Sequence, residues 1–381
     1  MKFAHMADCH LDGWRLPELN ALNMQSFQRA VTICIKERVE FVLIAGDLFD
    51  SAYPSIDSLK ETFREFRRLK EANIPVFIIS GSHDYSVSGK TFLDVLEKSG
   101  FCTNVINYEN KGDTILLQPT IYKNVAIYGY PGKKSGLEIE ELERVKIEDA
   151  PGLFKILMLH TTIRGAVQNP KIKSVDESKL PKVNYVALGH LHISYNKNGM
   201  VYPGPLFPNN LQELEELKNG SFFIFENGNI ERKEVKLREI LVVNYSINNA
   251  LYATEGILKL LERESLKDKV VIVKLEGLIE QGRTSDIDFV KIENYVKKRE
   301  ALIFLKSMSK LLISESKLEF DTINTEDIEV QILKNFMTLD NKFSHLILPL
   351  TKSLQIEKID EERSGVFEER VLSEVKKMVG I

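Results

Sequence analysis

The 381-residue chain carries seven histidines, at positions 5, 10, 83, 160, 190, 192 and 345. His10, His83, His160, His190 and His192 fall in short strings at the ends of apolar runs, some of which also carry aspartates: AHMADCHLDG (4–13), AGDLFD (45–50), SGSHDY (80–85), LMLHTT (157–162) and ALGHLH (187–192). Carboxylates and imidazoles gathered at strand ends are the donor set of a metal site. Asp8 and His10 alternate on a segment read as extended, and His190 and His192 do the same, so each pair can turn both side chains to one side. Gly46 before Asp47 permits a sharp turn, and a carboxylate placed there can bridge two cations. Gly81 has the same part before Ser82, His83 and Asp84. Mixed oxygen and imidazole donors suit manganese, iron or zinc better than magnesium alone. Two such ions, roughly 3.5–4 Å apart, hold a phosphate, polarise it and generate hydroxide for in-line attack. Taken singly the strings say little: GD is a common turn, and a lone strand histidine is most often packed or solvated. Five in this order, each at a strand end, define a candidate site of Asp8, His10, Asp47, Ser82, His83, His160, His190 and His192. His5 and His345 fall outside the pattern and read as structural.

Positioning such a site requires a sheet whose strand ends converge on one edge. Apolar or β-branched runs predict strands at 2–7, 40–46, 74–80, 124–130, 154–160 and 183–189. Between the early ones, residues 20–38 and 55–71 carry apolar positions at helical spacing, with Ile56, Leu59, Phe63, Phe66 and Leu69 on one stripe. This alternation predicts an α/β domain with a buried sheet. The later strands lack long intervening helices. With a hairpin over 221–235 turning at Asn227-Gly228, they point to a more antiparallel second half. The pattern shifts near residue 237. A small α+β unit follows: helix at 247–265, strand at 269–275, helix at 284–299, strand at 301–306. From about 325 the chain reads as charged helices, EDIEVQILKNFM, KFSHLILPLTKSL and VFEERVLSEVKKMV.

Composition sets outer bounds. The formal net charge is −4, whereas a dedicated nucleic-acid coat is usually basic. A metal-centred nuclease escapes that argument, because its cations meet the reacting phosphate. Three cysteines without CxxC spacing fit a reducing cytoplasm. The start, MKFAHMADCH, has no secretory apolar core, and no run approaches the ~20 residues of a bilayer-spanning helix, so a membrane role is not expected.

The ordered motifs D-x-H, GDxxD, G-x-H-[DE], H and GHxH resemble those of the calcineurin-like metallophosphoesterases, over residues 1 to about 235. Within that superfamily, HMADCHL, AGDLFD, and GHLH followed by YPGP look like the Mre-eleven/SbcD nucleases of double-strand break repair. The resemblance implies an α/β sandwich of mixed sheets flanked by helices (1–236), a small α+β DNA-capping domain (237–320) and a helical C-terminal region (321–381) that docks on a Rad-fifty-type ATPase. It implies two manganese ions per subunit: Asp8, His10 and His192 on one, His160 and His190 on the other, Asp47 bridging. His83 would protonate the leaving oxygen or stabilise the transition state, with Asp50 or Asp84 as orienting acids. The implied reaction is phosphodiester hydrolysis of DNA, 3′–5′ exonucleolytic on duplexes and endonucleolytic on single strands. Ser82 stands where the family has a ligating Asn, which predicts a weaker second metal. Pro205 is a lesser departure. Arg15, Lys90, Lys133, Lys134 and Arg164 are candidate DNA contacts, and helices 55–71 and 89–99 a candidate homodimer interface. Two other readings compete: a metallophosphoesterase acting on a small nucleotide or other phosphoester, and a non-catalytic scaffold. Intact acidic and imidazole positions argue against the scaffold.

Overall fold

The computed structural model describes residues 1–84, 91–313 and 364–379. The chain opens with β1 (Lys2–Met6), α1 (Pro17–Lys36), β2 (Phe41–Ala45), α2 (Ile56–Glu71), β3 (Val76–Ile79), α3 (Phe92–Lys98) and β4 (Thr103–Asn104). Then come β5 (Tyr108–Lys111), β6 (Thr114–Leu117), β7 (Thr120–Tyr122), β8 (Val125–Tyr130), α4 (Glu138–Leu142), β9 (Val145–Ile147), β10 (Phe154–His160) and β11 (Tyr185–Gly189). Next are β12 (Tyr195–Lys197), β13 (Met200–Tyr202), α5 (Leu211–Leu217), β14 (Gly220–Glu226), β15 (Asn229–Val235) and β16 (Ile240–Ser246). The last elements are α6 (Ala253–Glu262), β17 (Val270–Ile279), α7 (Phe289–Lys298), β18 (Ile303–Ile313) and α8 (Ser364–Val379).

Two six-stranded sheets, β15-β14-β1-β2-β3-β4 and β12-β13-β11-β10-β8-β7, form a sandwich. Between them lie Phe3, Phe41, Leu43 and Phe77 from the first sheet and Ile127, Ile156, Met158 and Tyr185 from the second. The outer face of the first sheet packs Ile44 and Ile78 against Phe27, Val31, Phe66 and Leu69 of the helices. Strands buried on both faces need apolar residues throughout, which explains why FVLIA and VFII stand out in the sequence. The second half is more antiparallel than the first, as the sequence predicts, with antiparallel pairs β5–β6, β7–β8, β12–β13 and β14–β15, but the middle of its six-stranded sheet is parallel. β10 runs parallel to both β8 and β11, and β11 runs parallel to β13; only the margins, β7 and β12, are antiparallel. The crossovers there run through β9, α4 and irregular chain instead of long helices. The 221–235 hairpin does form, as β14 and β15, with Asn227 and Gly228 both at positive φ as its turn requires.

The expected 269–275 and 301–306 strands appear as β17 and β18, joined by β16, which the sequence pattern does not announce. Helices α6 and α7 cover one face of this three-stranded sheet through Ile257, Leu261, Ile292 and Val296. Its other side contributes Ile240, Val270, Ile272 and Ile303 to a seam with Leu19 and Leu22 of α1 and Leu214 of α5. Met1–Leu312 forms one compact unit and Ile313–Ile381 a second. In the second, α8 has Phe367, Val371 and Val375 half-buried and Leu372 exposed. The segments EDIEVQILKNFM and KFSHLILPLTKSL, with His345, lie outside the described residues. Among the described residues no helix is long and apolar enough to cross a membrane. The three cysteines are buried and unpaired.

The apolar stripe of α2 is mostly spent internally. Leu59, Phe66 and Leu69 are buried on the first sheet, and Phe63 packs edge-on to Phe101 at 5.5 Å, leaving Ile56 exposed. The dimer face expected there therefore reduces to Ile56 and the rim of Phe63. His5 is internal as expected, hydrogen-bonded to the Tyr185 hydroxyl at 3.0 Å. Burial lowers its pKa from 6.5 to about 3. The unfolded chain thus takes up a proton below about pH 6.5 that the folded chain refuses. Stability should therefore fall with acidification by about 1.4 kcal/mol per pH unit from this group alone. Urea unfolding of the metal-free protein at pH 7.5 and 5.0 tests this. His5→Gln should lose that one-proton slope, and an unchanged slope would contradict the assignment.

Candidate metal centre

The C-terminal ends of the parallel strands meet at one edge, where Met6 pairs with Ile44, Ala45 with Ile79, and His160 with Gly189. The candidate residues sit at these ends or just beyond them. Asp8, His10, Asp47 and His190 all have positive φ, of 50°, 41°, 50° and 97°. Asp8 and His10 are thus not on an extended segment as the sequence suggests, and neither is His190. The chain leaves β1, β2 and β11 through left-handed residues that redirect the side chains. Four such residues at one spot is local strain concentrated where a site is built. Gly46 serves its expected part in stronger form: at φ +88°, a Cβ there would lie 2.2 Å from Nδ1 of His160. A Cβ on Gly81 would lie 2.2 Å from Oδ1 of Asp47.

Two groups of donor atoms that share Asp8 converge, each within 4.8 Å of one another: Asp8, His10 and His192 in the first, Asp8, Asp47 and His160 in the second; a further group, His10, Asp50 and His83, lies beside them. The Asp8 Oδ1 accepts from the His190 main-chain N–H at 2.8 Å, while its Oδ2 is buried without a hydrogen-bond partner. His160 Nδ1 donates to the Ala45 carbonyl at 2.9 Å. Its Nε2 lies 3.1 Å from Asp47 Oδ2 but is not aligned for a hydrogen bond. Asp47 Oδ2 is also 3.8 Å from His10 Nε2, so this carboxylate stands between the two groups. His190 lies outside both groups, its ring 5.2 Å from that of His160. Ser82 turns its hydroxyl toward Asp47 Oδ2 at 3.5 Å.

His10 and His192 face each other Nε2 to Nε2 at 3.1 Å. Each has its Nδ1 on a carboxylate, Asp50 at 3.0 Å for His10 and Glu213 at 2.8 Å for His192. With both Nδ1 protons donated outward, both Nε2 lone pairs face inward, an arrangement suited to a shared cation. These opposed lone pairs, with the orphaned Asp8 Oδ2, are what a divalent metal fits. Electrostatics agree. Burial disfavours a charged His160 ring, but the carboxylates of Asp47 and Asp8 outweigh it and raise the pKa to about 10. Burial and then the His160 charge push His190 down to about 4. Burial raises the Asp8 carboxyl. Asp47 is also buried, yet His160 and His10 hold its carboxyl well below the usual range.

His83 is half-exposed at the mouth, its Nδ1 donating to the Asp50 carbonyl at 2.8 Å. The Asp50 carboxylate is nearer to His10 than to His83, at 3.0 against 3.5 Å, so it orients His10 first. Asp84 is buried within its turn. It accepts from the main-chain N–H groups of Gly81, Leu48 and Phe49 at 3.0–3.3 Å, tying the two loops together. Burial and the neighbouring Asp47 raise its pKa to about 6. Glu213 escapes a reading of the sequence. Its only local signal is a capping pattern, Asn210 accepting from the Glu213 N–H at 2.9 Å, which says nothing about His192. Of the candidate DNA contacts, Arg15, Lys134 and Arg164 are exposed, and Lys90 lies outside the described residues. Lys133 is instead paired with Glu141 at 2.6 Å.

Residues 1–194 match the family described as calcineurin-like phosphoesterase. The chain belongs to that family. Its members bind divalent metals and hydrolyse phosphoesters, and this chain is a metallophosphoesterase hydrolase. The chain is similar to the DNA double-strand break repair protein Mre11 of Methanocaldococcus jannaschii, at 28% identity over 77% of this chain and 88% of that one. Its namesake from Archaeoglobus fulgidus is 25% identical, over 73% and 68%. The SbcD component of the SbcCD nuclease of Staphylococcus saprophyticus is 24% identical, over 97% and 99%.

Proposed function

We propose that this metallophosphoesterase is a DNA nuclease of double-strand break repair that hydrolyses phosphodiesters with two manganese ions. The observation that carries the metal chemistry is the buried convergence of Asp8, His10, Asp47, His160 and His192 on unpartnered lone pairs. The DNA substrate is supported by likeness to relatives named as repair nucleases, one matched along nearly its whole length. In this reading Asp8, His10 and His192 would hold one ion and His160 and His190 the other, with Asp47 available to both. The ions would polarise the phosphate and supply a nucleophile at neutral pH. The chain's own contribution is to fix these donors. Asp84 pins the loop that carries Asp47, Asp50 orients His10, and the Ala45 carbonyl sets the His160 tautomer. His83 delivers a proton to the leaving oxygen. Arg15, Lys134 and Arg164 contact flanking phosphates, so binding weakens with salt. The α+β unit from 237 caps the DNA, the C-terminal helices dock on a Rad-fifty-type ATPase, and a homodimer forms through the region of α2 and α3.

The deciding experiment is digestion of end-labelled duplex and single-stranded DNA with manganese, alone and with the ATPase partner. Metal-dependent 3′–5′ shortening of duplexes and internal cutting of single strands is expected. No digestion in either setting, beside brisk turnover of a small nucleotide ester, would favour the small-phosphoester reading, to which the net charge of −4 lends some weight.

Ser82 yields a separate expectation. Its hydroxyl is committed toward Asp47 and is a poorer, shorter donor than an amide carbonyl. Ser82→Asn should raise affinity for the second manganese by roughly tenfold, the scale on which changes around a metal site act. Calorimetric titration of both proteins measures it, and equal second-site affinities would refute it.

A further inference from the structure

We propose that Glu213 is a positioning residue for His192, and that helix α5 holds it in place from the three-stranded β16-β17-β18 sheet. The inference rests on the metal reading above and adds to it a part of the chain far from the sequence motifs. The Glu213 carboxylate has both oxygens engaged. Oε1 accepts from His192 Nδ1 at 2.8 Å and from Asn210 Nδ2 at 2.6 Å, and Oε2 accepts from the Asn209 main-chain N–H at 2.8 Å. A carboxylate held by three donors has one orientation. It therefore selects the His192 tautomer with the proton on Nδ1 and turns Nε2 to within 3.1 Å of His10 Nε2. Asp50 does the same for His10 from the opposite side. The two rings are thus clamped by carboxylates from two separate elements.

What holds Glu213 is its helix. Successive residues of a helix point about 100° apart, and here three in a row reach three places. Glu213 reaches the metal edge. Leu214 is fully buried in the seam with Ile240, Val270, Ile272 and Ile303 of the three-stranded sheet. Glu215, 7% exposed, is ion-paired to Lys274 on β17, with Ser307 of β18 also hydrogen-bonded to it. Displacing α5 along that sheet would shift the His192 ring with it. A cap-forming glutamate with no role at the metal would make the Asn209 and Asn210 bonds equally well. Only the Nδ1 contact, and what it does to the ring, separates the two roles.

The test therefore reads the ring as well as the metal. Nitrogen-15 NMR of the metal-free protein should show His192 protonated at Nδ1 in the wild type. Glu213→Ala should shift it toward the Nε2–H tautomer, and Glu213→Gln, whose amide oxygen can still accept, should largely keep the native one. Equilibrium dialysis with manganese alone should give one site weakened about 10–100-fold in Glu213→Ala, with substantial rescue in Glu213→Gln. Lys274→Ala, remote from the site, should weaken the same site a few-fold. If Glu213→Ala fails to fold by circular dichroism, Glu213→Asp, whose shorter arm cannot reach Nδ1 in the same way, takes its place. Wild-type manganese affinity and an unchanged His192 tautomer in the alanine or aspartate variant would overturn the proposal. Wild-type affinity in Lys274→Ala would overturn the part assigned to the sheet. A wild-type protein that binds no manganese would sink the metal reading itself, and the tautomer comparison would still report whether Glu213 sets the ring.

Discussion

Asp47→Asn should reduce phosphodiester hydrolysis by at least about 10³-fold, which is about 4 kcal/mol of transition-state stabilisation. The substitution keeps size and removes one charge. Its effect is large because of where Asp47 sits. One oxygen lies 3.1 Å from His160 Nε2 and 3.8 Å from His10 Nε2, and the other accepts the His83 main-chain N–H at 2.8 Å. Asp47 thus touches both donor groups and the loop carrying His83. Its carboxyl is depressed although burial works the other way, because His160 and His10 overcome the desolvation. It is therefore anionic at any working pH. Two cations placed beside it would each lose their shared countercharge in the variant. Manganese binding, read by equilibrium dialysis, should fall from two ions to one weakly held ion or none. A neutral amide would also leave His160 with only Asp8 and the Ala45 carbonyl to support its charge, so its pKa should drop from about 10. Hydrolysis within tenfold of the wild type, with two ions still bound, would remove Asp47 from the bridging role.

The strands that carry the site are legible because burial on both faces leaves them little choice but apolar residues: FVLIA and FKILMLH are readable without any tertiary knowledge. The candidate side chains are legible for a related reason. A carboxylate or imidazole directly after such a run is costly unless something pairs it. What cannot be read is whatever depends on three-dimensional return of the chain. The left-handed backbone at Asp8, His10, Asp47 and His190 replaces the simple alternation that the spacing suggests. Local sequence carries no mark of it beyond residue types that tolerate positive φ. β16 begins only five residues after β15 and partners β17 across α6, a pairing that no local pattern announces. Lys133 looks like any loop cation until Glu141 is found beside it. How much of the α2 stripe is spent on the chain's own sheet shows only once the sheet beneath it is seen. Glu213 lies 21 residues beyond His192 and reaches it only through the placement of α5.

His83→Gln should lower kcat on DNA by about 10²–10⁴-fold, the usual worth of a positioned acid, while leaving manganese stoichiometry and KM nearly unchanged. His83 is exposed, with 46% of its side chain accessible, and it belongs to neither donor group that includes Asp8, grouping instead with His10 and Asp50. Its ring is nonetheless fixed. The main-chain N–H is bound to Asp47 Oδ1, and Nδ1 donates to the Asp50 carbonyl, leaving Nε2 as the nitrogen available to a substrate. An imidazole held this way at the mouth of the centre can protonate a departing oxygen. That role makes a sharper prediction than a loss of rate. A deoxyribose hydroxyl is a poor leaving group and needs the proton, whereas p-nitrophenolate leaves readily without one. The variant should therefore be far more impaired on DNA than on a p-nitrophenyl phosphodiester. Equal losses on the two substrates would instead place His83 on the phosphate oxygens, stabilising charge in the transition state, and would take the leaving-group proton away from it.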